Sequence, residues 1–270
     1  MAKIQAIYRY PIKGLSPEAL KRATLSPGLT IPGDRLYAIE NGPSGFDPAA
    51  PGYLAKTHFL MLMRNERLAA LRTMFDPASH VLTILHAGQG ISADLRTASG
   101  REAIESFFAR YCADELRGAP KVLYAEGHSF SDVARKVVSI INLNSVAAIE
   151  DMVDAPVHPL RFRANLYVEG WPAWSELDLV GRELAIAPPA VAAAPEGSGP
   201  SKGSPAVRLK IVKRIVRCAA TNVDPNTGLR DLEIPQALMR HLDHMDCGIY
   251  AEVVEGGEIE QAGRIEIVPQ

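Results

Sequence analysis

Short runs of alternating apolar and polar residues recur through this chain, and helices do not alternate with them. The runs are KIQAIYRYP (3–11), DRLYAIE (34–40), VLTILHA (81–87), RKVVSIINL (135–143), RFRANLYVEG (161–170), GIYAEVVEG (248–256) and RIEIV (264–268). Period-two alternation builds strands with one buried face. Amphipathic stretches lie between them. RNERLAALRTMF (64–75) sets Leu68, Leu71 and Phe75 on one helical stripe, and REAIESFFARYCADELR (101–117) does so with Ile104, Phe107, Phe108 and Tyr111. LNSVAAIEDMV (143–153) offers Asn144 as an N-cap, and PQALMRHLDHM (235–245) opens on a proline that a first helical turn tolerates. A doubly wound parallel sheet needs regular strand–helix alternation, which is missing. The expected fold is a β-rich α+β chain built around one or two barrels.

Residues 187–206 break the pattern. Seventeen of these twenty residues are proline, alanine, glycine or serine, too little apolar surface to order the segment. The expectation is a flexible loop inserted into a barrel, because the runs on either side read as strands of one sheet. A softer boundary near Gly118–Pro120 divides the chain into 1–118 and 119–270.

The 29 basic and 31 acidic residues leave a net charge of −2, which gives no footprint for nucleic acid and no polybasic membrane patch. The opening MAKIQAIYRY lacks the apolar run of a signal peptide, and no later stretch reaches the length of a membrane span. Cys112, Cys218 and Cys247 are too widely spaced for a disulfide framework or a CxxC metal pattern. The expected setting is a reducing cytoplasm. No dinucleotide fingerprint, phosphate loop or HExxH is present. His241 and His244 share a helix face at i, i+3, and without a third ligand they read as a solvated face.

Two segments carry chemistry. Read as a strand, RFRANLYVEG projects Arg161, Arg163, Asn165 and Tyr167 to one side, a donor-rich surface suited to an anion and equally compatible with a solvent-facing edge. VRLKIVKRIVRC (207–218) is a long β-branched strand ending at Cys218, followed by the turn Asp224-Pro225-Asn226-Thr227-Gly228. Arg217 is placed to lower the pKa of its neighbour, and a thiolate binds a soft metal or attacks. A structural thiol fits the same pattern. Trp171, Trp174 and Glu176 read as packing between strands.

In order and spacing, YRYPIKGLSPEAL (8–20), PGDRLYAIEN (32–41), FSDVARKVVSIINLNSVAAIE (130–150), RFRANLYVEG with WPAWSELDLVGRELAIA (171–187), and RCAATNVDPNTG (217–228) resemble the MOSC-domain proteins that carry an N-terminal β-barrel extension. The mitochondrial amidoxime-reducing component and its bacterial relatives have this layout. The resemblance implies an N-terminal β-barrel-like domain followed by a MOSC β-barrel with a few peripheral helices. It also implies a molybdenum cofactor, a pterin whose sulfurs hold the metal, with Cys218 as the protein's metal ligand. By the same resemblance Lys13, Arg35, Ser145, Arg163, Asn165 and Arg217 bind the cofactor, and Asp224 lies near the metal.

The implied activity is reduction of N-hydroxylated or N-oxygenated small molecules. Electrons come from a separate flavoprotein reductase, cytochrome or ferredoxin. A sulfur carrier using a Cys218 persulfide and a non-catalytic cofactor-delivery module are the alternatives. Three departures stand out. Amidoxime-reducing relatives carry Pro-Cys-x-Arg-Cys where this chain has Lys213-Arg214-Ile215-Val216-Arg217-Cys218 and so lacks the first cysteine, Gly14 replaces a serine, and 56–68 is apolar where relatives show a Thr-Ala-Arg-like pattern.

Overall fold

The computed structural model describes residues 1–187 and 206–269. In chain order its strands are β1 (Ala2–Arg9), β2 (Glu18–Leu20), β3 (Arg22–Leu25), β4 (Ala38–Asn41), β5 (Arg72–Asp76), β6 (Val81–His86), β7 (Gln89–Asp94), β8 (Pro120–Leu123), β9 (Val138–Asn142), β10 (Leu166–Glu169), β11 (Glu183–Ile186), β12 (Val207–Val216), β13 (Asp246–Glu255), β14 (Gly257–Glu260) and β15 (Arg264–Ile267). The α-helices are α1 (Ala98–Tyr111), α2 (Leu143–Val153) and α3 (Ile234–Leu242).

Seven strands close a barrel in the order β10-β9-β13-β12-β11-β15-β1, with β1 pairing back onto β10 and β2 attached to its edge. The first strand of the chain is therefore a stave of the barrel built mostly from the C-terminal half. Closure removes exposed sheet edges. β12 shows how the pattern is met: Val207, Leu209 and Ile211 point inward to the barrel core, alternating with partly exposed Arg208 and exposed Lys210. Register shifts along the β12–β13 pair bend both strands. β9 and β10 are parallel, and α2 lies on the crossover between them. The strands flanking the proline- and alanine-rich segment, β11 and β12, pair with each other. The expected loop itself falls outside the described residues except at its ends.

The N-terminal half adds the antiparallel trio β5-β6-β7 and the pair β4–β8. Together with α1 they enclose a second core containing Tyr37, Leu68, Leu71, Leu82, Ile104 and Phe108. Among the described residues no helix is long and apolar enough to cross a membrane.

Three local expectations are corrected. Residues 64–75 do not form an α-helix: Glu66–Ala70 is a short 3₁₀ turn, and Arg72–Asp76 pairs with β6. Leu68, Leu71 and Phe75 still reach one core, so the stripe was real, but hairpin pairing satisfied it with a different backbone. Residues 161–165 are not strand. Pro159–Phe162 is a 3₁₀ turn whose first amide, that of Leu160, is capped by His158 Nδ1, and Arg163 leaves it in the left-handed region at φ 50°. The N-cap of α2 is Asn142, which accepts from the amide of Asn144.

Candidate functional site

A cavity of about 230 Å³ lies where the N-terminal loops meet the barrel. The loops supply Lys13, Asp34, Arg35, Lys56 and Met61; the barrel side supplies Arg163, Arg217 and Cys218 among others. Eight of the lining side chains are lysine or arginine and two are aspartate. Against a whole-chain charge of −2, this is a concentrated positive field.

Arg35 and Arg163 share a support. Their guanidinium carbons stand 4.5 and 4.3 Å from the centroid of the fully buried Tyr10 ring. Both residues have φ near 50°, a conformation that costs a side-chain-bearing residue energy and persists only where the surroundings impose it. The surroundings are visible here. Arg35 N donates to Tyr10 O at 2.7 Å, its Nη2 donates to Arg163 O at 2.9 Å, and its Nη1 pairs with Asp34. Asp34 Oδ1 in turn accepts from Tyr10 N at 2.8 Å. The Arg163 guanidinium has neither a carboxylate nor a hydrogen-bond acceptor among the described residues. Burial pushes it down in pKa, an effect that Tyr10 partly offsets and Arg35 reinforces.

Lys13 is 5% exposed and donates to Phe130 O at 2.9 Å and to Asp132. Burial pushes its ammonium down against the pull of Asp132, and Arg35 and Lys56 add to the push. For Asp132, burial works upward, but Lys13 first and then Lys56 and Arg35 hold the carboxyl well below the usual range. Gly14, beside Lys13, sits at φ 83°, and a Cβ there would meet Leu60 O at 3.1 Å. The missing serine is therefore a backbone requirement in this chain.

Cys218 follows β12 and opens the 3₁₀ turn Ala219–Asn222. Lys56 Nζ lies 3.3 Å from its Sγ, and Cys218 with other groups keeps that ammonium charged by raising its pKa against burial. Arg217 turns its guanidinium inward: Nε donates to Cys247 O at 2.7 Å and Nη1 to Phe162 O at 3.0 Å. Nη2 is buried without a partner.

The cavity thus gathers Lys13, Arg35, Arg163, Asn165, Arg217 and Cys218 from the residues that the sequence singled out. Asn165 spends most of its amide on structure. Its Oδ1 accepts from Ser139 N and Oγ at 3.1 and 2.8 Å, and its Nδ2 donates to Tyr8 O at 3.1 Å. Ser145 does not line the cavity. It is fully buried, donates to the Glu176 carboxyl at 2.8 Å and accepts from Trp174 N at 2.8 Å. Asp224 also lies outside the lining; it caps its own turn by accepting from the amides of Asn226 and Thr227, both at 2.8 Å. Its other oxygen reaches Arg161 Nη2 at 3.4 Å, and Arg161 does line the cavity.

Sequence reasoning missed Lys56, Tyr10 and Asp132. Lys56 carried one signal, as the lone charged residue between Leu54 and Met63. Met61, Leu62 and Met63 give the cavity an apolar wall from the stretch noted as a departure.

The residues suit an anionic pterin held to a soft metal. The orphaned Arg217 Nη2 and the unpaired Arg163 guanidinium are buried or half-buried donors without acceptors, and a thiol shares their cavity. Among the described residues there is no cluster of three or more histidine, cysteine or acidic side chains that could hold a metal alone.

Residues 1–114 match a family model described as the MOSC N-terminal beta barrel domain, and residues 125–266 match the MOSC domain. A search of curated protein sequences finds no match. Among solved structures, the YUAD protein from Bacillus subtilis aligns over 98% of this chain and 94% of its own, with 15% identity and a TM-score of 0.44.

Proposed function

Since the chain belongs to the MOSC-domain family and carries that family's N-terminal barrel domain, we propose a molybdenum-cofactor-dependent oxidoreductase that reduces N-hydroxylated or otherwise N-oxygenated small molecules. The observation that carries this reading is one cavity that holds a thiol together with the buried Arg217 and the half-buried Arg163, neither paired with a carboxylate among the described residues.

Cys218 would serve as the metal ligand, since a thiolate is a soft donor and a single protein ligand leaves positions open. Arg163, Arg35, Arg217 and Lys13 would hold the pterin and its phosphate, with Tyr10 fixing the first two in place. When bound, the cofactor supplies two-electron oxygen-atom transfer. Lys56 keeps a positive charge beside Cys218, where an oxygen-bearing substrate group would arrive. Asp224 acts at one remove, orienting Arg161 and the 224–228 turn. The reading includes an external electron-transfer protein as reductant and a cytoplasmic setting.

A second reading, a sulfur carrier using a Cys218 persulfide, draws on a different observation. Cys218 also lines an open groove with Met239 and Met245, a second side from which this residue can be approached.

Protein loaded with the cofactor and supplied with chemically reduced viologen tests the two. Oxidation of the dye that depends on an N-hydroxylated compound and disappears in Cys218→Ala supports the reductase. A stable persulfide on Cys218, with no such oxidation, supports the carrier.

A further inference from the structure

Glu176 lies in the short 3₁₀ turn Ser175–Leu179, between β10 and β11. Its side chain is fully buried, and no lysine or arginine pairs with it among the described residues. A carboxyl so placed is costly unless its oxygens are occupied. Asn142 Nδ2 donates to it at 3.0 Å, Ser145 Oγ at 2.8 Å, and the backbone N–H of Gly248 completes the set. Burial pushes the carboxyl up in pKa and these bonds pull it back. Asn142 and Ser145 stand at the start of α2 and Gly248 on β13, so one carboxyl ties the helix to the barrel strand.

The N–H of Gly248 and the carbonyl of Cys247 belong to one peptide unit. That carbonyl accepts from Arg217 Nε at 2.7 Å. A single peptide therefore stands between a buried carboxyl and a buried guanidinium, with its N–H towards the first and its oxygen towards the second. Each charge favours that orientation. Beyond the effect of burial, the Cys247 thiol registers both: Arg217 draws its pKa down and Glu176 raises it. A carboxylate in direct contact would occupy guanidinium donors, as Asp34 does for Arg35. An anion one peptide away orients Arg217 and leaves Nη2 without a partner. We propose that Glu176 is a positioning residue of the cofactor site, fixing the Arg217 guanidinium through the 247–248 peptide so that Nη2 stays free for the ligand's anion. The role of Arg217 rests on the cofactor reading above; its support by Glu176 rests on the hydrogen bonds.

Nuclear magnetic resonance of the cofactor-free protein reads the relay directly. The Arg217 Nε–H and the Gly248 amide should both exchange slowly with solvent, and rapid exchange of either in the unaltered protein overturns the inference without any variant. Glu176→Gln keeps the size and one accepting oxygen but removes the charge. It should speed Arg217 Nε–H exchange by about tenfold, and Glu176→Asp, which restores the charge, should recover part of the protection. On cofactor-loaded protein, dialysis followed by fluorescence of the released, oxidised pterin should show about tenfold faster loss in Glu176→Gln. The same change made on top of Arg217→Lys should add little. Unchanged Arg217 exchange, or equal acceleration of pterin loss in both backgrounds, contradicts the relay. Exchange that depends on Glu176 in a protein that takes up no pterin keeps the relay and removes the cofactor reading; pterin retention indifferent to Glu176 does the reverse.

Discussion

Lys56 Nζ lies 3.3 Å from Cys218 Sγ, joining a 3₁₀ turn of the N-terminal half to the end of a barrel strand 162 residues later. A full positive charge so close to a thiol attracts anionic reagents more than neutral ones. Alkylation of Cys218 by iodoacetate, relative to iodoacetamide, should fall by about threefold or more in Lys56→Gln. An unchanged ratio would separate the ammonium from the sulfur in solution.

The three thiols should differ sharply. Cys112 and Cys247 are fully buried, and burial pushes both up to about 12, against the opposing pull of Arg217 in the case of Cys247. Cys218 is partly exposed. Mass spectrometry after brief alkylation of the native protein should find label on Cys218 alone, with the other two labelled only on unfolding.

Asp132 offsets the buried ammonium of Lys13. Its carboxyl is held low in the folded protein, so the stabilisation is complete at neutral pH. It is lost as pH falls below the ordinary carboxylate value of about 4. Asp132→Asn should cost about 1–2 kcal/mol at pH 7, reduced from a fully buried pair because Asp132 is half-exposed. Thermal melts of parent and variant should converge as pH drops from 5 towards 3.

Gly248 makes room for Arg217. At φ 80°, a Cβ there would meet Ile140 O at 2.5 Å and Arg217 Nη2 at 2.9 Å. Gly248→Ala should destabilise by more than ~1 kcal/mol and displace the guanidinium, read as a lower melting temperature together with weaker retention of the cofactor.

Much of this was legible in the sequence. Alternation in 207–211 and 248–253 identified barrel staves because both faces of a strand leave a period-two record. The Arg-Phe-Arg-x-Asn segment singled out Arg163 and Asn165, which line the cavity, through a strand that in fact begins only at Leu166. Proximity survived because Pro159 and the left-handed Arg163 deliver the side chain by another path. Ser145 and Asp224 show the limit: each has a polar side chain near the right elements, and each is claimed by a local partner, Glu176 or the turn amides. Tyr10 and Lys56 act through contacts across more than 100 residues, to Arg163 and to Cys218, and no short-range pattern records such pairs.

The molybdenum and pterin content of protein purified from cells that make the cofactor, measured for the parent and for Cys218→Ala, tests the central claim most directly. Near-stoichiometric metal and pterin in the parent, with the metal lost in the variant, is the predicted result. Neither component in the parent, or equal metal in both proteins, would contradict Cys218 as the ligand of a cofactor bound in this cavity.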